Sequence, residues 1–265
     1  MFFRLSSLEL GLILFGVTAG ATLLGLFAGR TLRQHKEHLR EPFGVLQAAL
    51  LALVGLILAF GLTLALGRYE QRRAAVVDEA NAIGTTYLRA QTLAEPVRSQ
   101  TLALLRPYTD TSIRLSHEIP GSTAARRTIA ASGALQRRLW RLAGEALVAA
   151  PVATAPRLYV DSLNNTFDAQ GTRVASLNNR VPGPVLALEV LGASVALALL
   201  ALYLSILGRG LVTVLLAAGL VTLLLLVTFD LDRPNRGLIR VPDTPLVSAR
   251  TSMALPPAAT GPSHP

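Results

Sequence analysis

Four stretches of about 20 residues, almost free of charge, limit what this chain can fold into more than any other feature. Residues 8–28 carry only Glu9, and residues 44–67 carry no charge. Residues 184–207 contain Glu189 alone, and residues 210–229 contain none. Each stretch approaches the ~20 residues that a helix needs to cross a hydrocarbon layer of ~30 Å. Leu, Ala and Gly dominate without a period of two, which excludes barrel strands and leaves helices as the spanning element. The first stretch holds Ala19-Gly20-Ala21, which resembles a signal-peptide cleavage site. Its apolar run nevertheless continues to Ala28 and meets a basic loop, so a retained anchor is expected. The expected fold is an all-α integral membrane protein with four transmembrane helices, two within residues 1–67 and two within residues 182–229.

The rest of the chain has a different composition. Charged residues make up 15% of the whole, below the ~25% of soluble domains, yet residues 68–181 hold 15 arginines and 9 acids. This part reads as a water-exposed helical domain inserted between the second and third spans. Proline punctuates it: one helix from Tyr69 to Ala94 is closed by Glu95-Pro96, and the next, from Val97 to His117, contains Pro107. Ile119-Pro120-Gly121 predicts a turn, and Ser122 can cap a helix that runs to Ala150. Beyond Pro156, the residues Val160, Leu163, Phe167, Gln170, Val174 and Leu177 alternate steps of three and four. They fit either a short heptad seam or an ordinary amphipathic helix of a bundle. Residues 230–265 form a tail, expected to be disordered from about residue 250 because Pro, Ala, Ser and Thr prevail there.

Charge and cysteine usage close off several functions. The net charge of +9 comes from arginine, Lys36 being the single lysine, but no soluble segment combines basic and aromatic residues as a nucleic-acid surface would. Cysteine is absent, which removes disulfides and thiolate chemistry. No phosphate loop, nucleophile elbow or zincin helix occurs, so neither an enzyme nor a cofactor is expected. Orientation stays open on charge, since the full count of basic residues favours a cytoplasmic domain and the first loop alone favours the reverse. Arg30, Arg33, Lys36 and Arg40 lie on one side, whereas Arg68, Arg72, Arg73, Arg173, Arg180, Arg233, Arg236 and Arg240 lie on the side of the inserted domain.

Several phrases resemble the bestrophin-like domain family (DUF4239). They are Asp78-Glu79-Ala80-Asn81-Ala82-Ile83-Gly84 after the second span, Leu105-Arg106-Pro107-Tyr108, and Leu163-Asn164-Asn165 with Arg173 and Pro182 before the third span. The last is Phe229-Asp230-Leu231-Asp232-Arg233-Pro234-Asn235-Arg236-Gly237 after the fourth span. True bestrophins are oligomeric anion channels with a large cytosolic helical domain and cytosolic termini. The resemblance therefore implies an inner-membrane protein with its central domain and both termini in the cytoplasm.

Candidate site residues follow from the spans. On the second, Gly44, Ala48, Ala52, Gly55 and Ala59 form a small-residue stripe suited to close helix packing, within a subunit or between subunits. Gln47 and Thr63 offer polar contacts at its ends, for packing or for a narrow path. Leu56, Phe60 and Leu64 have the spacing of the apolar constriction in bestrophin pores, a spacing that a Leu-rich helix also produces by chance. Glu189 is an intramembrane acid, expected either to pair with Arg180 or reach the headgroups, or to line a pathway. Asp230 and Asp232 occupy the place of the bestrophin calcium cluster, but two acids, with Asn235 as a third ligand, fall short of the usual ~6–8 oxygens. A chain-reversing turn whose acids pair with Arg233 or Arg236 explains them better. His35 and His38 have a spacing that could share a divalent metal. Together these features predict a homo-oligomeric ion channel in the lipid bilayer that passes an inorganic ion, anionic by resemblance. The alternative is a membrane-anchored helical scaffold or signalling protein that conducts nothing.

Overall fold

The computed structural model describes residues 6–32, 36–208 and 210–259, with residues 32 and 36–43 described by backbone alone. Among them eight helices occur, and the chain divides into two compact units. The first unit comprises Met1–Tyr69 and Arg180–Ile239. It contains α1 (Ser7–Leu32), the first part of α2 (Lys36–Ala90), α6 (Gly183–Ile206) and α7 (Leu211–Leu231). These supply four helices long and apolar enough to cross a membrane. Leucine and alanine on all sides leave each helix with an apolar surface all round, which suits lipid on one side and neighbouring helices on the other.

Packing in this unit centres on α1 and α6, which run in close contact. Gly25 and Gly29 make the approach possible: a β-carbon at Gly25 would strike the Ala198 carbonyl, and one at Gly29 would lie 2.6 Å from the Leu202 carbonyl oxygen. These two glycines form the G-x-x-x-G pattern that lets membrane helices meet backbone to backbone. The Ser205 hydroxyl donates to the Leu26 carbonyl at 3.1 Å, and the Thr18 and Thr222 hydroxyls join α1 to α7 at 2.8 Å. Leu10, Leu14, Leu58, Ala65, Leu186, Ala193, Leu225 and Phe229 fill the space between these helices.

The second unit comprises Glu70–Asn179 and Arg240–Pro265. It holds the end of α2, then α3 (Val97–His117), α4 (Thr123–Ala149), α5 (Thr154–Asn178) and α8 (Thr244–Ser252). Ile83, Leu93, Leu105, Tyr108, Leu139, Tyr159 and Leu163 form its core. Ser122 caps α4, its side chain accepting from the Ala125 amide at 3.1 Å. On α5, Leu163 and Leu177 are buried, and Gln170 is held by Ser132 at 2.5 Å and Gln136 at 2.6 Å. The periodic face of α5 is thus the inner face of a bundle helix.

Two expectations are corrected. The helix expected to begin at Tyr69 is the continuation of α2, which passes through Gly67 without a break and ends at Ala90 rather than Ala94. No proline lies between 44 and 90, and one interior glycine costs only ~1 kcal/mol, too little to stop a packed helix. The tail, expected to be disordered from about residue 250, is ordered through the described residues to 259. Thr244–Ser252 is helical, and Leu246 and Met253 are fully buried in the core of the second unit. Tyr87 and Arg106 both donate to the Met253 carbonyl, at 3.0 and 2.9 Å, and Arg250 pairs with Asp110 at 2.7 Å. Composition predicts disorder here because it ignores two apolar anchors spaced seven residues apart.

Candidate pore helix and buried carboxylates

α2 presents two different faces. One packs on the first unit through Val54, Leu58, Gly61 and Ala65. The other faces outward along the whole apolar stretch. Leu56, Phe60 and Leu64 are 53%, 62% and 47% exposed, although all three lie within a stretch that has no charge. Gln47 is half-buried at one end, and Thr63 is exposed at the other, donating to the Ala59 carbonyl at 2.8 Å. On the same outward arc Ala48, Ala52, Gly55 and Ala59 are exposed, and Gly44 is half-buried beside Tyr203.

A β-carbon at Gly55 would meet nothing within 4 Å, so packing within the chain does not use the stripe there, whereas Gly44 at its end lies against Tyr203. The closest approaches within the chain fall to Gly25, Gly29 and Gly61. The first two carried a signal in the sequence, since Gly25-Leu26-Phe27-Ala28-Gly29 is a G-x-x-x-G phrase. Gly61 carried none, because its partner lies on another helix.

Glu189 is that partner. Its carboxyl fills the place that a β-carbon at Gly61 would occupy, and the side chain is fully buried. Neither carboxylate oxygen has a hydrogen-bond partner among the described residues, so the expected pairing with Arg180 does not form. Arg180 instead lies near Asp232, whose charge opposes the lowering of the Arg180 pKa by burial. Glu189 faces the packed side of α2, away from Leu56, Phe60 and Leu64.

Asp230 holds the backbone of the turn after α7, and Asp232 ties the start of that turn to the segment before α6. Asp230 accepts from the Ile239 amide at 2.8 Å and from the Ser7 hydroxyl at 3.2 Å. A β-carbon at Gly237 would lie 2.6 Å from both Asp230 oxygens, so the turn closes only over glycine. Asp232 accepts from the Val181 amide at 2.9 Å. Asn235, with φ of 64°, completes the reversal. These bonds favour the turn over calcium as the reason for the two acids. Among the described residues no three His, Cys, Asp or Glu side chains are grouped to hold a metal. His35 and the side chain of His38 lie outside the described residues.

In the second unit, a buried ion pair escaped sequence reasoning. The Arg173 guanidinium donates to Glu79 at 2.5 Å and to Ser116 at 2.6 Å, and Ser112 donates to Glu79 at 2.7 Å. The two residues stand 94 apart in the sequence, so no local pattern links them.

Comparison with known proteins agrees with this architecture. Crystal structures of a bacterial bestrophin homologue from Klebsiella pneumoniae share the fold. One substituted variant superposes with a TM-score of 0.69 at 15% identity, covering 94% of this chain and 96% of that one. A structure phased on zinc gives a TM-score of 0.66 at 14% identity, covering 91% and 95%. No curated protein sequence matches. The bestrophin-like domain profile matches residues 13–246, which is most of the chain. This multi-pass membrane protein belongs to the bestrophin-like domain family.

Proposed function

We propose that the protein is a homo-oligomeric ion channel whose conduction path runs along α2. The observation that carries this reading is the outward face of α2. Leu56, Phe60 and Leu64 remain exposed in the single subunit, with the small residues Ala48, Ala52, Gly55 and Ala59 on the neighbouring arc. An apolar ring in an oligomer can gate by dewetting, and a small-residue arc lets the next subunit approach. Membership of the bestrophin-like family supports a channel, and its resemblance to bestrophins favours anions. Gln47 and Thr63 would border the path, whereas Glu189 is assigned to the opposite side of α2. Asp230 and Asp232 are given to turn closure rather than calcium.

The second unit is assigned to the cytoplasmic side of the inner membrane, together with both termini. The resemblance to bestrophins supports this placement, and the 15 arginines against 9 acids in residues 68–181 would draw anions to that side. The test is ion flux in liposomes with the purified protein. Anion flux that scales with protein and exceeds cation flux is expected. A folded, oligomeric protein that passes neither ion would leave the scaffold reading in its place.

A further inference from the structure

Glu189 lies six residues inside α6, about 9 Å along the helix, and is fully buried. The notch that receives its carboxyl exists because residue 61 has no side chain. One turn further along α6, Gly192 meets Val54 of α2 at 3.5 Å, so the two helices run antiparallel in contact. Described titratable groups nearest the packed helices stand at the ends of their apolar stretches: Glu9 and Arg30 on α1, Arg68 and Tyr69 on α2, Asp230 on α7, and Tyr203 on α6. None of them hydrogen-bonds to Glu189 among the described residues. Buried here, an ionised carboxylate would have no counter-charge among the described residues, which strongly disfavours the charged form. A neutral acid meets neither objection.

We propose that Glu189 is a proton-binding site that latches α2 to α6. With the O–H bond intact, the neutral carboxyl packs into the notch at Gly61. When that bond breaks, the proton passes to water, the carboxylate demands hydration, and the helices part at Gly61. The latch does not depend on conduction. If α2 lines the path proposed above, the latch also makes that path sensitive to pH, and this consequence alone rests on the channel reading.

The test uses the full-length protein in liposomes, whose lack of cysteine makes one introduced thiol unique. Infrared spectra taken between about pH 5 and pH 9, bracketing documented buried glutamates, should show a protonated-carboxyl band that disappears with rising pH. The band should be missing from Glu189→Gln at every pH. Ala65 is fully buried on the packed face of α2, so Ala65→Cys reports separation of the helices. Its modification rate is divided by the rate in the Glu189→Gln background at the same pH, which cancels the thiol's own ionisation. That ratio should rise about tenfold, the change expected from one pKa unit of coupling. Glu189→Leu supplies a second neutral background should the glutamine variant fail to fold. A missing or pH-independent band, or a flat ratio, would overturn the latch. Neither measurement reads ion flux, so a failed latch and a failed channel are told apart.

Discussion

Replacing Arg173 with methionine removes a buried charge that makes four hydrogen bonds in the second unit while keeping most of its apolar stem. Arg173 is 1% exposed and Glu79 is 0% exposed, so the pair is shut away from water. The guanidinium donates to Glu79 at 2.5 Å, to Ser116 at 2.6 Å, and twice to the Ser112 carbonyl at 3.1 Å. Methionine loses all four bonds and leaves the Glu79 carboxylate with the Ser112 hydroxyl as its donor. Removing one partner of a buried pair costs about 3–5 kcal/mol, because the remaining charge is uncompensated. At roughly 3 °C per kcal/mol for a unit of this size, the unfolding midpoint should drop by about 10 °C or more. The chain has a single tryptophan, Trp140, which packs against Phe167 with ring centroids 6.3 Å apart. Its fluorescence in a thermal scan therefore reports this unit. The double variant Glu79→Leu, Arg173→Met should recover most of the loss, since an apolar pair leaves no orphan charge. A single variant that melts within about 2 °C of the parent would refute the argument, as would a double variant less stable than the single one.

Other perturbations separate the faces of the membrane helices. Gly55→Leu should leave the chain folded, because a side chain there meets nothing within it, and should lower the size-exclusion mass if the proposed oligomer packs on this face. Gly25→Leu should instead lower the yield of folded protein, since the new side chain strikes the Ala198 backbone. Phe60→Ala should raise conductance or leak in liposomes by widening an apolar constriction, and an unchanged current would remove Phe60 from the path. Deleting residues 251–265 removes the buried Met253 and should destabilise the second unit by about 2–5 kcal/mol in the same tryptophan scan.

The four spans could be read directly from the sequence because hydrocarbon imposes a local rule. About 20 uncharged residues in a row satisfy it, whatever the rest of the chain does. The Ser122 cap and the inner face of α5 were legible for the same reason, since a cap acts within three residues and a helix face repeats every turn. Long-range pairings obey no such rule. Glu189 has an arginine, Arg180, within reach along the chain, yet it meets Gly61, which lies 128 residues away on another helix. Glu79 and Arg173 are joined only once α2, α3 and α5 are packed. The stripe on α2 and the G-x-x-x-G of α1 look alike as sequence, because both place small residues one turn apart. Only the tertiary structure decides that Gly25 and Gly29 spend their smallness inside the subunit while Gly55 keeps its own free. The reason is geometric: periodicity tells which residues share a face, and packing alone tells which neighbour that face receives.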